Sequence, residues 1–141
     1  MNREIKFRAW DKIEKLMVVV DEINWRSNFI SGVYPKGGTS GVIKDYELLA
    51  FTGLKDKNGK EIYEGDIIKA ELGIFHLPSR AIKIGQVIFM AATFGLLIKE
   101  GGKNTFVSLF HPEAKFDEGT VEIIGNIYEN PELIRSLKGD E

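Results

Sequence analysis

The chain has 141 residues, with 19 Lys and Arg against 21 Asp and Glu, for a net charge of −2. That balance provides no field able to gather nucleic acid or anionic lipid over the whole surface. The absence of cysteine excludes a disulfide scaffold, a thiolate zinc site and a cysteine nucleophile. An apolar fraction of 43% with 28% charged residues excludes global disorder. The length fits a single domain spanning residues 1–141.

The apolar residues favour sheet. Ile and Val number 25 against 18 for Leu and Ala, with nine Phe beside them, and branched and aromatic side chains suit a pleated, half-buried surface. Glu4–Trp10 (EIKFRAW) alternates: Ile5, Phe7 and Ala9 share one face, and Lys6, Arg8 and Trp10 the other. DKIEK then predicts a turn, and Leu16–Val20 a returning strand. From Ile23 to Gly41 the alternation decays, and Gly37-Gly38-Thr39-Ser40-Gly41 predicts a mobile loop. A further strand is expected over Tyr46–Thr52.

The densest local code follows. Asn58-Gly59 predicts a type I′ hairpin turn with positive φ at both residues, and Glu64-Gly65-Asp66 a second turn feeding Ile67–Ala70. Pro78-Ser79-Arg80 breaks the chain before a strand over Ile82–Met90. The apolar run Val87–Ile98 has twelve residues where a membrane span needs about 20, so it reads as a core strand pair or buried segment. Gly101-Gly102-Lys103-Asn104 predicts a turn into Thr105–Phe110, His111–Gly119 is polar and irregular, and Thr120–Glu129 is the last strand.

The C-terminus predicts a short helix. Asn130 suits the N-cap, Pro131 the first helical position, and Glu132 the positive end of the helix dipole. Leu133, Ile134 and Leu137 share a face that would dock on the sheet, and Gly139 can end the helix. The expected class is mainly β: a small SH3-like or related β-barrel with an N-terminal β-hairpin extension and a short C-terminal helix.

FTGLKDKNGKEIYEGDIIK, Phe51–Lys69, resembles the signature of the YopX family of bacteriophage and prophage proteins. IKFRAWDK (Ile5–Lys12) and VEIIGNIYENPELI (Val121–Ile134) fit the same family in the same order, so the resemblance reaches from one end of the chain to the other. It implies a mostly β fold and a phage setting, and it carries no biochemical activity to transfer.

Searched for chemistry, the residues offer little. His76 and His111 stand 35 positions apart in no ligand spacing, and they read as ordinary surface histidines. No serine lies in a nucleophile motif, and the glycine-rich stretch at Gly37 lacks the GK[ST] of a phosphate loop. Asp56, Glu61, Glu64 and Asp66 could supply acid–base chemistry or hold a cation, but their positions suit turns that bond their own backbone. Catalytic residues, metal and cofactor are expected to be absent.

Two kinds of binding remain. Lys55, Lys57 and Lys60 surround the Asn58-Gly59 turn, Lys69 lies one strand away, and Arg8 and Trp10 share an outer face on which a base could stack. Interleaved acids cancel much of that positive potential, which makes nucleic acid the alternative. The preferred expectation is a non-enzymatic accessory protein acting through protein contacts or self-assembly. Its partners would be a second copy, as a homo-oligomer, or an unknown host or phage protein. Trp10 and Trp25 are candidate contact residues, because Trp and Tyr dominate interface hot spots. The charged start, with no apolar leader, gives a cytoplasmic address and no membrane partner.

Overall fold

The computed structural model describes residues 4–38, 41–73, 80–100, 102–109 and 118–138. His76, His111, Thr39, Ser40 and Gly139 lie outside the described residues, as does the side chain of Leu137. The chain divides into two compact units, Met1–Phe51 and Thr52–Glu141.

In the first unit, β1 (Phe7–Asp11) and β2 (Leu16–Arg26) form the expected N-terminal hairpin. Its turn is built by Asp11, whose Oδ1 accepts the backbone N–H groups of Ile13 and Glu14 at 2.9 Å each. A short carboxylate placed there closes the turn on its own backbone. β3 (Phe29–Pro35), β4 (Gly41–Val42) and the start of β5 (Tyr46–Lys55) complete an antiparallel ladder in the order β4-β3-β2-β1-β5. Ala9, Val33, Leu49 and Phe51 are its buried apolar residues.

The stretch expected to decay after Ile23 is instead a paired ribbon of β2 and β3. Register shifts between Val20 and Glu22 and between Asn24 and Trp25 explain the lost alternation, since an extra residue in one strand changes which side chains share a face. Of the glycine-rich stretch, Gly37 and Gly38 form a turn and Gly41 opens β4.

In the second unit, the end of β5 meets β6 (Glu61–Tyr63), and the Thr52 hydroxyl donates to the Ile62 carbonyl at 2.7 Å. β7 (Asp66–Gly73), β8 (Arg80–Met90), β9 (Thr93–Glu100), β10 (Lys103–Ser108) and β11 (Glu122–Asn126) make a second antiparallel sheet, ordered β10-β9-β8-β7-β11. Ile68 and Ala70 of β7, Val87 of β8, and Leu96 and Ile98 of β9 point inward, and they pack with Ile62, Leu109 and Val121. The mainly β class holds, as two antiparallel sheets, and neither closes into a barrel among the described residues.

The apolar run Val87–Ile98 is indeed a strand pair. β8 and β9 reverse through Ala91 and Ala92, which sit at φ 53° and 62°. The last strand is shorter than expected. It starts at Glu122 behind a 3₁₀ turn over Glu118–Thr120, and its register shifts between Ile123 and Gly125.

α1 (Pro131–Lys138) begins as predicted, directly after Asn130. Asn130 Oδ1 turns back and accepts the Asn126 N–H at 3.1 Å, while the Asn130 carbonyl accepts the Leu133 N–H. Asn126 Oδ1 in turn accepts the N–H groups of Tyr128 and Glu129, so two asparagines shape the link that aims the helix. α1 packs against β9 and over Gly125, where an added Cβ would come within 2.9 Å of Leu133 Cδ1. No described helix is long and apolar enough to cross a membrane.

Candidate functional site

Of the four acidic residues of the signature, Asp56 and Asp66 are buried and accept backbone N–H groups. Asp56, 6% exposed, works inside its own turn: Oδ1 accepts the N–H groups of Asn58 and Lys60, each at 2.9 Å. Its Oδ2 reaches the distant Ile123 N–H at 3.2 Å. Burial raises the Asp56 pKa, but these N–H donors and the nearby Lys60 charge outweigh it and hold the carboxyl below its ordinary value.

Asp66, 1% exposed, does similar work at the second turn, where Oδ2 accepts the Tyr63 N–H at 2.8 Å. Glu61 accepts from the Tyr63 hydroxyl at 3.5 Å. Among the described residues, no three His, Asp or Glu side chains are grouped to hold a metal ion.

The Asn58-Gly59 turn itself differs from expectation. Positive φ falls on Gly59 at 80° and not on Asn58. The Gly59 N–H donates to the Asp56 carbonyl at 3.0 Å, and the Asp56 N–H to the Lys60 carbonyl at 2.8 Å. This is a type I turn followed by a left-handed glycine, the pattern of a longer hairpin loop. The Asp56 carboxylate stabilises it by bonding ahead along the chain, which a two-residue I′ loop has no room to allow.

The lysines expected to carry contacts are all exposed, but the acids stay among them. Lys57 pairs with Glu122 at 3.2 Å, and Lys60 lies beside Asp56. Lys55 is exposed at the end of β5. Near Lys57 the sheet surface has a shallow hollow of about 270 Å³, lined by Lys57, Lys69, Glu71, Ile82, Thr120 and Glu122. Its charged lining has both signs, so it does not form a basic stripe.

The aromatic candidates separate. Trp10 is half-buried on β1, whereas Trp25 is 64% exposed near the end of the β2–β3 ribbon. Register places Trp25 opposite Ile30 and Arg26 opposite Phe29, itself 77% exposed. Between them Ser27, at φ 55°, and Asn28 make the turn. Phe29 and the Ile82 hollow were missed in the sequence. The signal for Phe29 was present in the polar Ser27-Asn28 pair between two aromatic residues, a hairpin end once β2 is known to continue.

Known proteins place this geometry. Protein EF1440 from Enterococcus faecalis, a solved structure, is similar with a TM-score of 0.63 and 27% identity over 94% of this chain and 99% of its own. Protein yopX from Bacillus subtilis has a similar fold, with a TM-score of 0.56 and 19% identity over 91% of this chain and 96% of its own. No protein of curated function matches the sequence. The family model described as YopX protein matches residues 6–135, a stretch that holds the turns built by Asp11, Asp56 and Asp66, the aromatic ribbon and the start of the helix. The chain belongs to the YopX family.

Proposed function

We propose that this protein is a non-enzymatic accessory protein of a phage or prophage that acts in the cytoplasm through protein–protein contacts or self-assembly. The observation that carries this reading is the end of the β2–β3 ribbon, where Trp25 and Phe29 stand 64% and 77% exposed. β1 accompanies β2 only over Leu16–Val19, and β4 accompanies β3 only at Gly32 and Val33. Beyond them the ribbon has two strands among the described residues, and a two-stranded ribbon is marginal alone in water. Large aromatic side chains at such an end contribute most when a partner surface desolvates them.

The carboxylates support the same reading from the other side, since Asp56 and Asp66 are engaged by backbone N–H groups. The test is affinity capture from phage-infected host cells, with and without nuclease, comparing the parent with a Trp25→Ser/Phe29→Ser double variant. A protein retained by the parent, lost by the variant and indifferent to nuclease is the expected result. Nuclease-sensitive capture, with oligonucleotides bound far more tightly than about 10 µM at physiological salt, would replace protein by nucleic acid as the partner.

A further inference from the structure

One edge of the β2–β3 ribbon is chemically its own complement. β1 pairs with β2 no further than Val19, and Asp21 is the extra residue of a register shift, a feature that bends a strand and increases its twist. From Glu22 to Arg26, the side of β2 away from β3 has no strand beside it among the described residues. Ile5, which would come beside Ile23 if β1 kept pairing, is 68% exposed. The Ser31 hydroxyl of β3 donates to the Asn24 carbonyl at 3.4 Å, so that carbonyl faces β3. Successive residues of a strand turn their backbone groups to opposite sides. Ile23 and Trp25 therefore aim their N–H and C=O groups at the open side.

We propose that this edge pairs with the same edge of a second copy. A two-fold axis perpendicular to the ribbon, passing beside Asn24, sets the two β2 strands antiparallel. Ile23 of one copy then faces Trp25 of the other, twice, and their outward backbone groups exchange both hydrogen bonds of each pair. Glu22 faces Arg26, twice, and Asn24 faces Asn24 on the axis. These are the pairs without backbone bonds, where side chains approach most closely and opposite charges are favourable. Asn24 gives one amide N–H to the Tyr34 hydroxyl at 2.8 Å, and its amide has a second to donate across the axis. With the axis moved to Ile23 or to Trp25, Glu22 and Arg26 no longer meet. An isologous interface requires the self-complementarity that the Asn24 register provides.

The pairing supplies what the ribbon lacks. Two strands alone are marginal in water, and the joined ribbons make one sheet in the order β3-β2-β2-β3. The charges select the occupant. A foreign strand would have to present a base, an aromatic or apolar residue, an amide, an apolar residue and an acid in that order, which Glu22–Arg26 read backwards already does. A polyanion meets Asp21 and Glu22 at the same edge. This inference rests on the reading of the ribbon as a contact surface and names its partner.

Charge exchange tests it with the full chain. Sedimentation equilibrium over a concentration series should give the parent about twice the 15.9 kDa chain mass. Glu22→Lys sets a lysine opposite Arg26 at both contacts, and Arg26→Glu sets a glutamate opposite Glu22, so each variant alone repels its own copy. Each should raise the dissociation constant at least about tenfold, since like charges brought together across an interface are strongly unfavourable. Mixing the two variants restores attraction at both contacts and should return the dimer.

Should either variant fail to fold, a second measurement applies. Asn24→Cys places a thiol on the axis, where facing Cα atoms lie about 4.5 Å apart, within disulfide reach. The chain has no native cysteine, so mild oxidation should join this variant to its own copy. Asn28→Cys, whose thiols lie at opposite ends of the joined ribbons, should stay unlinked. A parent that stays monomeric at every concentration overturns the proposal and leaves the ribbon reading to its own capture experiment. Folded charge variants that associate like the parent, no recovery on mixing, or equal linking at Asn24→Cys and Asn28→Cys overturn it equally.

Discussion

Two reversals in the second unit solve the same problem in opposite ways. Between Lys55 and Glu61 the chain turns around the Asp56 carboxylate, with one residue, Gly59, in the left-handed region. Between Met90 and Thr93 it turns through two exposed alanines, both left-handed, beside exposed Phe89 and Met90. The first turn carries its own wiring and is tied to the last strand, since Ile123 donates to Asp56 and Lys57 donates to the Val121 carbonyl. The second turn runs through two alanines, whose methyl groups cannot bond the backbone, and the strands on either side impose it. A turn rich in Asp, Asn and Gly can be specified locally. A turn of Ala-Ala is specified by the ladder it closes.

The largest effect should come from removing the wiring. Asp56→Ala leaves the N–H groups of Asn58, Lys60 and Ile123 without that acceptor in a half-buried place, and should destabilise by about 3 kcal/mol or more. Urea denaturation measures this. The same carboxylate should appear in the acid limb. Because its folded pKa is lowered, its stabilisation is complete above the ordinary carboxylate value and is lost as pH falls below about 4. Asp56→Asn should therefore be less stable at neutral pH, and its stability should fall less steeply in acid than the parent's.

Next in size is the helix seat beyond the tied strand. At Gly125 a Cβ would lie 2.5 Å from Asn130 Oδ1 as well as crowding Leu133, so Gly125→Val must displace α1 or its asparagine link. Overpacking of this kind costs about 1–3 kcal/mol. A Gly125→Val melting temperature equal to the parent's would show that the helix is not seated there.

Gly59→Val should cost about 1 kcal/mol or more, because φ of 80° is unfavourable for a β-branched residue. Open space surrounds the position, so the loss is conformational rather than steric. The smallest change has the opposite sign. Ala91→Asn with Ala92→Gly provides residues that accept positive φ, and should stabilise by about 1 kcal/mol or less, a rise of a few degrees in melting temperature. If that pair leaves the melting temperature unchanged while Asp56→Ala is mild, the contrast between the two turns is lost.

The candidate contact surfaces were only partly legible in the chain. Trp25 stood out as an aromatic residue, but its place near the end of a ribbon depends on β2 continuing to Arg26, which two register shifts hide from a period-two reading. Lys69 was visible as a lysine near the signature. Its pairing with Ile84, and that of Glu71 with Ile82, follows from the β7–β8 register, which alternation within either strand leaves open.

What this sequence determined by itself is local. Branched apolar residues in alternation demanded sheet. Asp11, Asp56 and Asp66 each placed a carboxylate within reach of backbone N–H groups a few residues away, and Asn130-Pro131-Glu132 started a helix. These outcomes depend on contacts within about five residues, where the chain's own geometry sets distances. Tertiary structure decided the rest. It joined the Asp56 carboxylate to the backbone N–H of Ile123, 67 residues away. It also held Ala91 and Ala92 in a conformation that alanine alone disfavours. In each case a partner from elsewhere in the fold changed which local minimum was lowest, and no reading of neighbouring residues contains that partner.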